Sequence, residues 1–394
     1  MGRFRPLKAD IDLGALRHNY RNAVARAGGA RCLAVVKANA YGHGAIECAQ
    51  ALSDLAPAFG VASIEEADAL RDSGVVQPIV LLEGFFSIEE IPLMAARHYW
   101  PVVHEAWQVN ALLAASLSHS INVWLKLDSG MHRLGFSPDA LVRHWSELAA
   151  CPHVTGMHLI SHFATADGAD ERSRQQYAQQ RACISGVVTQ LKAQGYGVPL
   201  SLANSPATLC GNAPGAWHRP GIMLYGGAPS SAPEYQIPLA PVMTLRSQLI
   251  AIRDVPQGEA LGYGGSFVTE RPLRVGIVAC GYGDGYDRHA RTGTPVLVNG
   301  QRTRIIGRVS MDMLSVDITD IEGAMLGSEV VLWGQSITGA VLAIDDVARG
   351  CDTIAYTLMT GVSMRVPRDY AGASIHVGAS THAGASTHVG ASER

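Results

Sequence analysis

The sequence predicts an α/β plus β chain: an N-terminal (β/α)8 barrel of the TIM type followed by a C-terminal, mainly-β domain. Two observations carry this. Short β-rich runs alternate with amphipathic stretches eight times over about 220 residues, the count of a closed parallel barrel. After about Gly226 the texture changes to closely spaced short strands and turns. A doubly wound open sheet is the alternative, but no Gly-x-Gly-x-x-Gly turn follows the first long run.

The predicted barrel strands are residues 32–36, 59–62, 78–82, 100–103, 121–127, 154–160, 200–202 and 218–224. Amphipathic segments such as 64–72, 107–116, 138–149 and 170–194 lie between them. Ser63-x-x-Glu66 and Ser87-x-x-Glu90 carry a capping signature. Residues 230–241, rich in Pro and Ser, read as a linker. Strands at 249–253, 273–278, 295–298, 303–306, 313–318 and 329–333 follow, and Val298-Asn299-Gly300-Gln301 is a hairpin signal. The expected domains are a barrel over 9–236 and a β domain over 237–371, with residues 1–8 packing on the latter. Residues 372–394 repeat Gly-Ala-Ser-[Ile/Thr]-His-[Val/Ala]. Their spaced histidines raise metal binding, but small residues with no apolar face favour a disordered low-complexity tail.

Composition excludes several classes. Lys plus Arg total 31 and Asp plus Glu 34, a net −3 with no footprint for nucleic acid. The 47% hydrophobic content is broken into short runs, so no membrane span is expected. The basic N-terminus lacks an apolar h-region, and Pro6 argues against myristoylation of the Met1-Gly2 end. Seven cysteines without a Cys-x-x-Cys pair read as reduced thiols in a cytoplasmic protein, with neither disulfides nor a zinc site.

In a barrel, chemistry sits at the C-terminal ends of the strands. Those ends carry Lys37, Glu83, His104, Lys126 with Asp128, His162, Asn204 with Ser205, and Arg219 onward. Lys37 has two readings: a strand-end lysine that reaches solvent, or a desolvated amine that attacks a carbonyl. The second implies a Schiff base with pyridoxal 5'-phosphate, which needs a phosphate cradle and a partner for the pyridine nitrogen. Asn204-Ser205, Gly221-Ile222 and Tyr41 are candidates for the cradle. Ser205-Pro206 also suits a helix start. Arg219, in an apolar run, is the candidate for the ring nitrogen; it would keep that nitrogen unprotonated. His162 shares the rim, although a lone barrel histidine is by default a core residue. Arg133 lies just beyond the fifth strand, where a guanidinium can clamp a carboxylate. Gly281-Tyr-Gly-Asp-Gly-Tyr286 and Tyr263 read as turns on composition alone.

Several ordered motifs resemble the bacterial alanine racemases, of pyridoxal-phosphate fold type III. They are Val-Val-Lys37-Ala-Asn-Ala-Tyr41-Gly-His-Gly, Lys126-Leu-Asp-Ser-Gly-Met-His-Arg133-Leu-Gly, Ser-His162-Phe-Ala-Thr-Ala-Asp, Arg219-Pro-Gly221-Ile222, Gly-Tyr263-Gly, Gly-Tyr282-Gly-Asp-Gly-Tyr, Val-Ser-Met311-Asp312-Met and Arg365-Val-Pro-Arg. The resemblance runs from about Pro6 to Tyr370. It implies a homodimer that shares its active sites and interconverts L- and D-alanine. Lys37 would hold the cofactor and serve one face of the substrate; Tyr263, from the partner chain, would serve the other. A free phenol has a pKa of about 10, so Tyr263 would need nearby positive charge. Arg133, Met311, Tyr282 and Asp312 would face the substrate, with Tyr282 at the entrance. His162 would link Tyr263 to Arg219. Tyr41, Asn204, Ser205, Gly221, Ile222 and Tyr356 would bind cofactor, and Lys126 resembles a lysine carbamylated to N6-carboxylysine. Phe267 and His132 depart from the usual residues, and the repeat tail is not a family feature. The alternatives are a broad-specificity amino-acid racemase and a non-catalytic pyridoxal-phosphate-binding protein.

Overall fold

The structure, a computed structural model, describes residues 4–211, 213–228 and 238–372. The chain opens with β1 (Lys8–Asp12). Eight strands then close a parallel barrel in sequence order: β2 (Arg31–Val35), β3 (Ala58–Val61), β4 (Ile79–Leu81), β5 (Tyr99–Val103), β6 (Ile121–Lys126), β7 (Val154–Ile160), β8 (Leu200–Ser201) and β9 (Trp217–His218). β9 pairs back onto β2 through Arg31↔Trp217 and Cys32↔His218. Barrel strands are buried on both faces, so β2 reads as an unbroken apolar run from Cys32 to Val35. Near its N-terminal end the interior is filled by stacked Trp100, Trp124 and His158 with Trp217 set edgewise or tilted against them, and Arg31 lies over Trp217 at 4.0 Å.

Helices cover the barrel where the sequence offers caps. Asp12 caps Leu13–Arg26 by accepting from Ala15 N at 3.0 Å. Ser137 with Pro138 opens Pro138–Ala149, and Asp170 opens the 23-residue helix Glu171–Ala193. Two expected serine caps do not form. Glu66 Oε2 accepts from Ala62 N at 2.8 Å, but Ser63 makes no cap bond. The segment after Ser87 becomes helical only at Glu90, whose Oε1 accepts from the amides of Phe86 and Ser87. In both, a glutamate carboxylate rather than the serine hydroxyl accepts from backbone amides ahead of the helix.

The second unit is built on one long strand, β10 (Met243–Val255). It is followed by β11 (Ala260–Leu261), β12 (Phe267–Val268), β13 (Leu273–Val278), β14 (Pro295–Val298), β15 (Gln301–Arg304), β16 (Leu314–Asp317), β17 (Glu329–Gln335), β18 (Val341–Leu342) and β19 (Arg368–Ala371). β10 pairs with β1 and β17 through its first half and with β13 through its second. The Asn299-Gly300 hairpin forms, with both residues at positive φ and Val298 opposite Gln301. Its tightness starts β15 at Gln301, two residues before the predicted strand.

Two expectations are corrected. Residues 9–12 belong to the second sheet rather than to the barrel, because β1 lies antiparallel to β10 and parallel to β19. The predicted eighth strand, 218–224, is cut to Trp217–His218 and is followed by a 3-10 turn, Ile222–Tyr225. Pro220 has no N–H, and Gly221 N donates to Ser205 Oγ at 2.9 Å instead of to a neighbouring strand. Residues 230–237 of the predicted linker, residues 373–394 of the repeat tail and the Met1-Gly2 end lie outside the described residues. Among the described residues no helix is long and apolar enough to cross a membrane.

Candidate active site

The site begins where β2 ends. Lys37 follows Val36, and the next four residues, Ala38 to Tyr41, all have φ between 52° and 54°. A left-handed turn costs L-residues about 1–2 kcal/mol each, so other contacts must hold it. Glu66 Oε1 accepts from Ala38 N at 2.7 Å and Asn39 Oδ1 from Ala45 N at 2.9 Å. His43 Nδ1 lies 2.9 Å from Ala40 O and 3.0 Å from Tyr41 O, and burial holds its pKa down to about 4. Arg368, on β19, donates from Nε to Gly42 O at 2.7 Å. Gly42 has φ +82°, and a Cβ there would collide with Met359 O. The second unit thus clamps the strained turn that presents Lys37.

On one side of Lys37 the turn delivers Tyr41 to a small-residue cradle. Its ring lies 4.8 Å from Tyr225 and 5.7 Å from Tyr356, and burial pushes its pKa up to about 12. Burial raises Tyr356 as well. Ser205 Oγ accepts from Gly221 N and, at 3.4 Å, from Met223 N. A Cβ at Gly221 would stand 2.5 Å from Tyr41 Oη, so only glycine allows this approach. Ile222 is buried beside it. Asn204 is a cap: it accepts from Ala207 N at 3.2 Å and donates to Phe163 O at 3.3 Å.

On the other side stands a cluster of cations. Arg219 is buried and has no carboxylate partner among the described residues. It donates to Ser201 O (2.6 Å), Ser201 Oγ (2.7 Å) and Ser161 O (2.6 Å), and its Nη2 lies 3.4 Å from His162 Nδ1. Burial lowers its pKa to about 10. His162 is held neutral, at about 3, by burial and then by the charges of Arg219, Lys126, Arg133 and Lys37. Lys126 falls to about 8 through burial and the charges of Arg219, Arg133 and Lys37, with Asp128 opposing. Arg133 is exposed and makes no ion pair among the described residues. Its loop turns around Asp128, whose Oδ1 accepts from the amides of Gly130, Met131 and His132. His132 takes φ +55° and sets its ring nitrogen 3.0 Å from Asp128 Oδ2.

The remaining predicted site residues stand apart from this cluster. Tyr263 is 69% exposed, in a short turn after β11, and its side chain has no hydrogen bond among the described residues. Tyr282, Met311 and Asp312 share one corner: Tyr282 N donates to Ser310 O at 3.0 Å and Gly283 N to Met311 O at 2.8 Å. Buried Asp284 organises that corner. It takes Arg365 Nε at 2.6 Å, Arg5 Nη2 at 2.8 Å and Gly281 N at 2.9 Å, and Arg365 also pairs with Asp312. Burial would raise the Asp284 carboxyl, but the two arginines outweigh it and hold it below the carboxylate range. Within one chain no hydrogen bond, ion pair or ring contact among the described residues joins this set to Lys37.

The sequence matches the family models "Alanine racemase, N-terminal domain" over residues 11–229 and "Alanine racemase, C-terminal domain" over 242–370. The chain belongs to the alanine racemase family. It is 57% identical to an alanine racemase of Chromohalobacter salexigens over 372 residues, 94% of this chain and 99% of the relative. It is 49% identical to a catabolic alanine racemase of Pseudomonas aeruginosa over 375 residues, 94% of this chain and all of the relative. Its fold superposes on the crystal structure of a biosynthetic alanine racemase from Pseudomonas aeruginosa with a TM-score of 0.87, at 47% identity, covering 93% of this chain and 100% of that one. Sequence reasoning did not foresee the roles of Glu66, His43, Arg368 and Asp284. All four lie in motifs it had noted, but the partners of Glu66, Arg368 and Asp284 include segments well removed in the chain, and those of His43 depend on the left-handed turn before it.

Proposed function

We propose that this chain interconverts L-alanine and D-alanine with pyridoxal 5'-phosphate as cofactor, moving the substrate's Cα proton between two opposed bases. The observation that carries the reading is buried Arg219, held by Ser201, the Ser161 carbonyl and His162 with no carboxylate partner among the described residues, on the same barrel rim as Lys37, Lys126 and Arg133. Cations held this close repel one another unless an anion joins them. A phosphate ester and a substrate carboxylate supply the missing charge. The donor set fits the cofactor. Lys37 would hold it covalently. Tyr41, Ser205, Gly221, Ile222 and Tyr356 would cradle its phosphate, with Asn204 capping the short helix behind them. Arg219, with His162 beside it, would face its ring nitrogen. Once bound, pyridoxal phosphate supplies the electron sink that acidifies the substrate Cα–H. A permanent cation opposite the ring nitrogen keeps it unprotonated and that sink shallow, which suits a reversible proton transfer.

The chain's own groups divide the work. Arg133 grips the carboxylate bidentately and fixes which face of Cα meets which base. Lys37 Nζ takes or returns the proton on one face. Tyr263 Oη of a second copy does so on the other. The exposure of Tyr263, Tyr282 and Met311 supports a homodimer with shared sites, in which Tyr282, Met311 and Asp312 narrow the approach to the substrate. The low pKa of Lys126 leaves much of its amine neutral near pH 8, the form that takes up carbon dioxide; N6-carboxylysine there would set an anion against Arg133. Seven unpaired thiols, five of them buried, support a reducing, cytosolic setting. D-Alanine supply for peptidoglycan and alanine breakdown remain parallel readings, because relatives of both types are almost equally similar. The test is a chiral racemisation assay over a panel of L-amino acids. Turnover confined to alanine and its nearest analogues supports the reading. Comparable turnover of long or charged side chains points to a broad racemase, and turnover of none to a binding protein.

A further inference from the structure

Gln180 lies on the barrel-facing side of helix Glu171–Ala193, is 1% exposed, and takes no part in the roles above. Its amide is fully used. Oε1 accepts from Ala164 N at 2.9 Å; Nε2 donates to His162 O at 3.0 Å and to Ser129 Oγ at 3.1 Å. An amide N–H can only donate and a carbonyl can only accept, so the orientation of the Gln180 head is unambiguous. The chain of bonds continues. Ser161 Oγ stands 2.9 Å from Leu127 O and 2.9 Å from Ser129 Oγ. Leu127 O accepts the single Ser161 hydroxyl proton, so Ser129 must give its own proton to Ser161 and accept from Gln180. Donation therefore runs one way: Gln180 to Ser129, Ser129 to Ser161, Ser161 to Leu127 O. The backbone oxygen of Ser161 is itself held by Arg219 Nη2 at 2.6 Å.

This wiring ties together three segments: the loop after β6 that carries Arg133, the loop after β7 that carries His162, and Arg219. We propose that Gln180 is a positioning residue that sets where the Arg133 loop stands relative to His162 and Arg219. A buried amide with every donor and acceptor satisfied specifies one arrangement, because any shift leaves a buried polar group unpaired. The proposal rests on the reading of Arg133 as the carboxylate clamp for its kinetic consequence, but not for its structural one.

The test compares wild type, Gln180→Met, Gln180→Glu, Ser129→Ala and the Gln180→Met/Ser129→Ala pair, all as full-length holoenzyme. The measurements are kcat and KM for L-alanine and amide hydrogen exchange over 127–136. Methionine keeps the volume and loses every bond; glutamate keeps the acceptor for Ala164 N but, ionised, cannot donate. Expected are faster exchange over 127–136 in both Gln180 variants, a KM raised roughly 10- to 100-fold with a smaller fall in kcat, and a double variant little worse than the worse single one. Unchanged exchange in both Gln180 variants, or effects of Gln180 and Ser129 that multiply independently, overturns the proposal. Faster exchange with an unchanged KM upholds the brace and instead removes Arg133 from substrate binding. Should Gln180→Met fail to fold, Ser129→Ala and Gln180→Glu decide the question.

Discussion

The barrel rim and the corner around Asp284 differ in kind. At the rim the chain buries Arg219, Lys126 and Tyr41, all under a tenth exposed, and surrounds them with hydrogen bonds and strained backbone. At the corner Met311 is more than half exposed, although its backbone oxygen accepts from Gly283 N and the next residue, Asp312, is held by Arg5 and Arg365; Tyr263, in its own turn after β11, is more exposed still. Buried cations and left-handed turns are costly, and they persist where function needs them. An exposed aromatic on a rigid base has the opposite economy: it is cheap in the single chain and gains its contacts on association. Under the proposed function the first region is a finished half-site, and the second awaits another copy.

The largest expected effect tests the finished half. Lys37→Ala should lower racemisation by about 10⁴-fold or more and abolish the visible absorption of the bound cofactor. Retained absorption removes Lys37 from its role. The division between halves is tested next by mixing. Lys37→Ala and Tyr263→Phe homodimers should each be nearly inactive, but after unfolding and reassembly together about one quarter of wild-type activity should return, because half the dimers would carry one intact site of two. No recovery means that the sites are not shared. A smaller effect tests the rigid base. Asp284→Asn leaves Arg5 without its carboxylate and Arg365 with Asp312 alone, and should cost about 2 kcal/mol of stability, since both arginines are partly exposed, with KM rising more than cofactor affinity falls. Equal loss of both would make the corner merely structural.

A last test, read as a pH slope rather than a loss of activity, separates the buried cations from the exposed ones. The folded pKa of Lys126 is depressed to about 8. Between that value and the ordinary lysine pKa the unfolded chain binds more protons than the folded one, so stability should rise with pH across that window and stay flat below it. The gain is roughly 3 kcal/mol at most. Guanidinium melts from pH 7 to 10 should show the slope in wild type and lose it in Lys126→Met. A slope of equal size in the variant assigns it to other groups.

Much of the architecture was legible because it rests on local rules. Apolar runs at barrel spacing, Ser137-Pro138 and Asp170 as helix starts, and the Asn299-Gly300 turn all act over a few residues. The misreadings share one cause. Residues 218–224 look like a strand until Ser205, on the short helix before it, takes the Gly221 amide. β1 looks like barrel until β10 and β19 offer it partners. Ser63 and Ser87 look like caps until the glutamates beside them take the free amides.

The site divides in the same way. Lys37 and Arg219 stood out as candidates because a charged residue in or at the end of an apolar run is a local anomaly. Gln180 did not, because an amide within a polar helix shows no anomaly until the fold buries it. By itself, then, the sequence determined the barrel, the second β unit and the ionisable groups on the rim, since periodicity and residue chemistry act at short range. Only the tertiary structure decided which carbonyls hold Arg219 and how the strained turn under Lys37 is clamped, because those depend on distances between segments from tens to hundreds of residues apart.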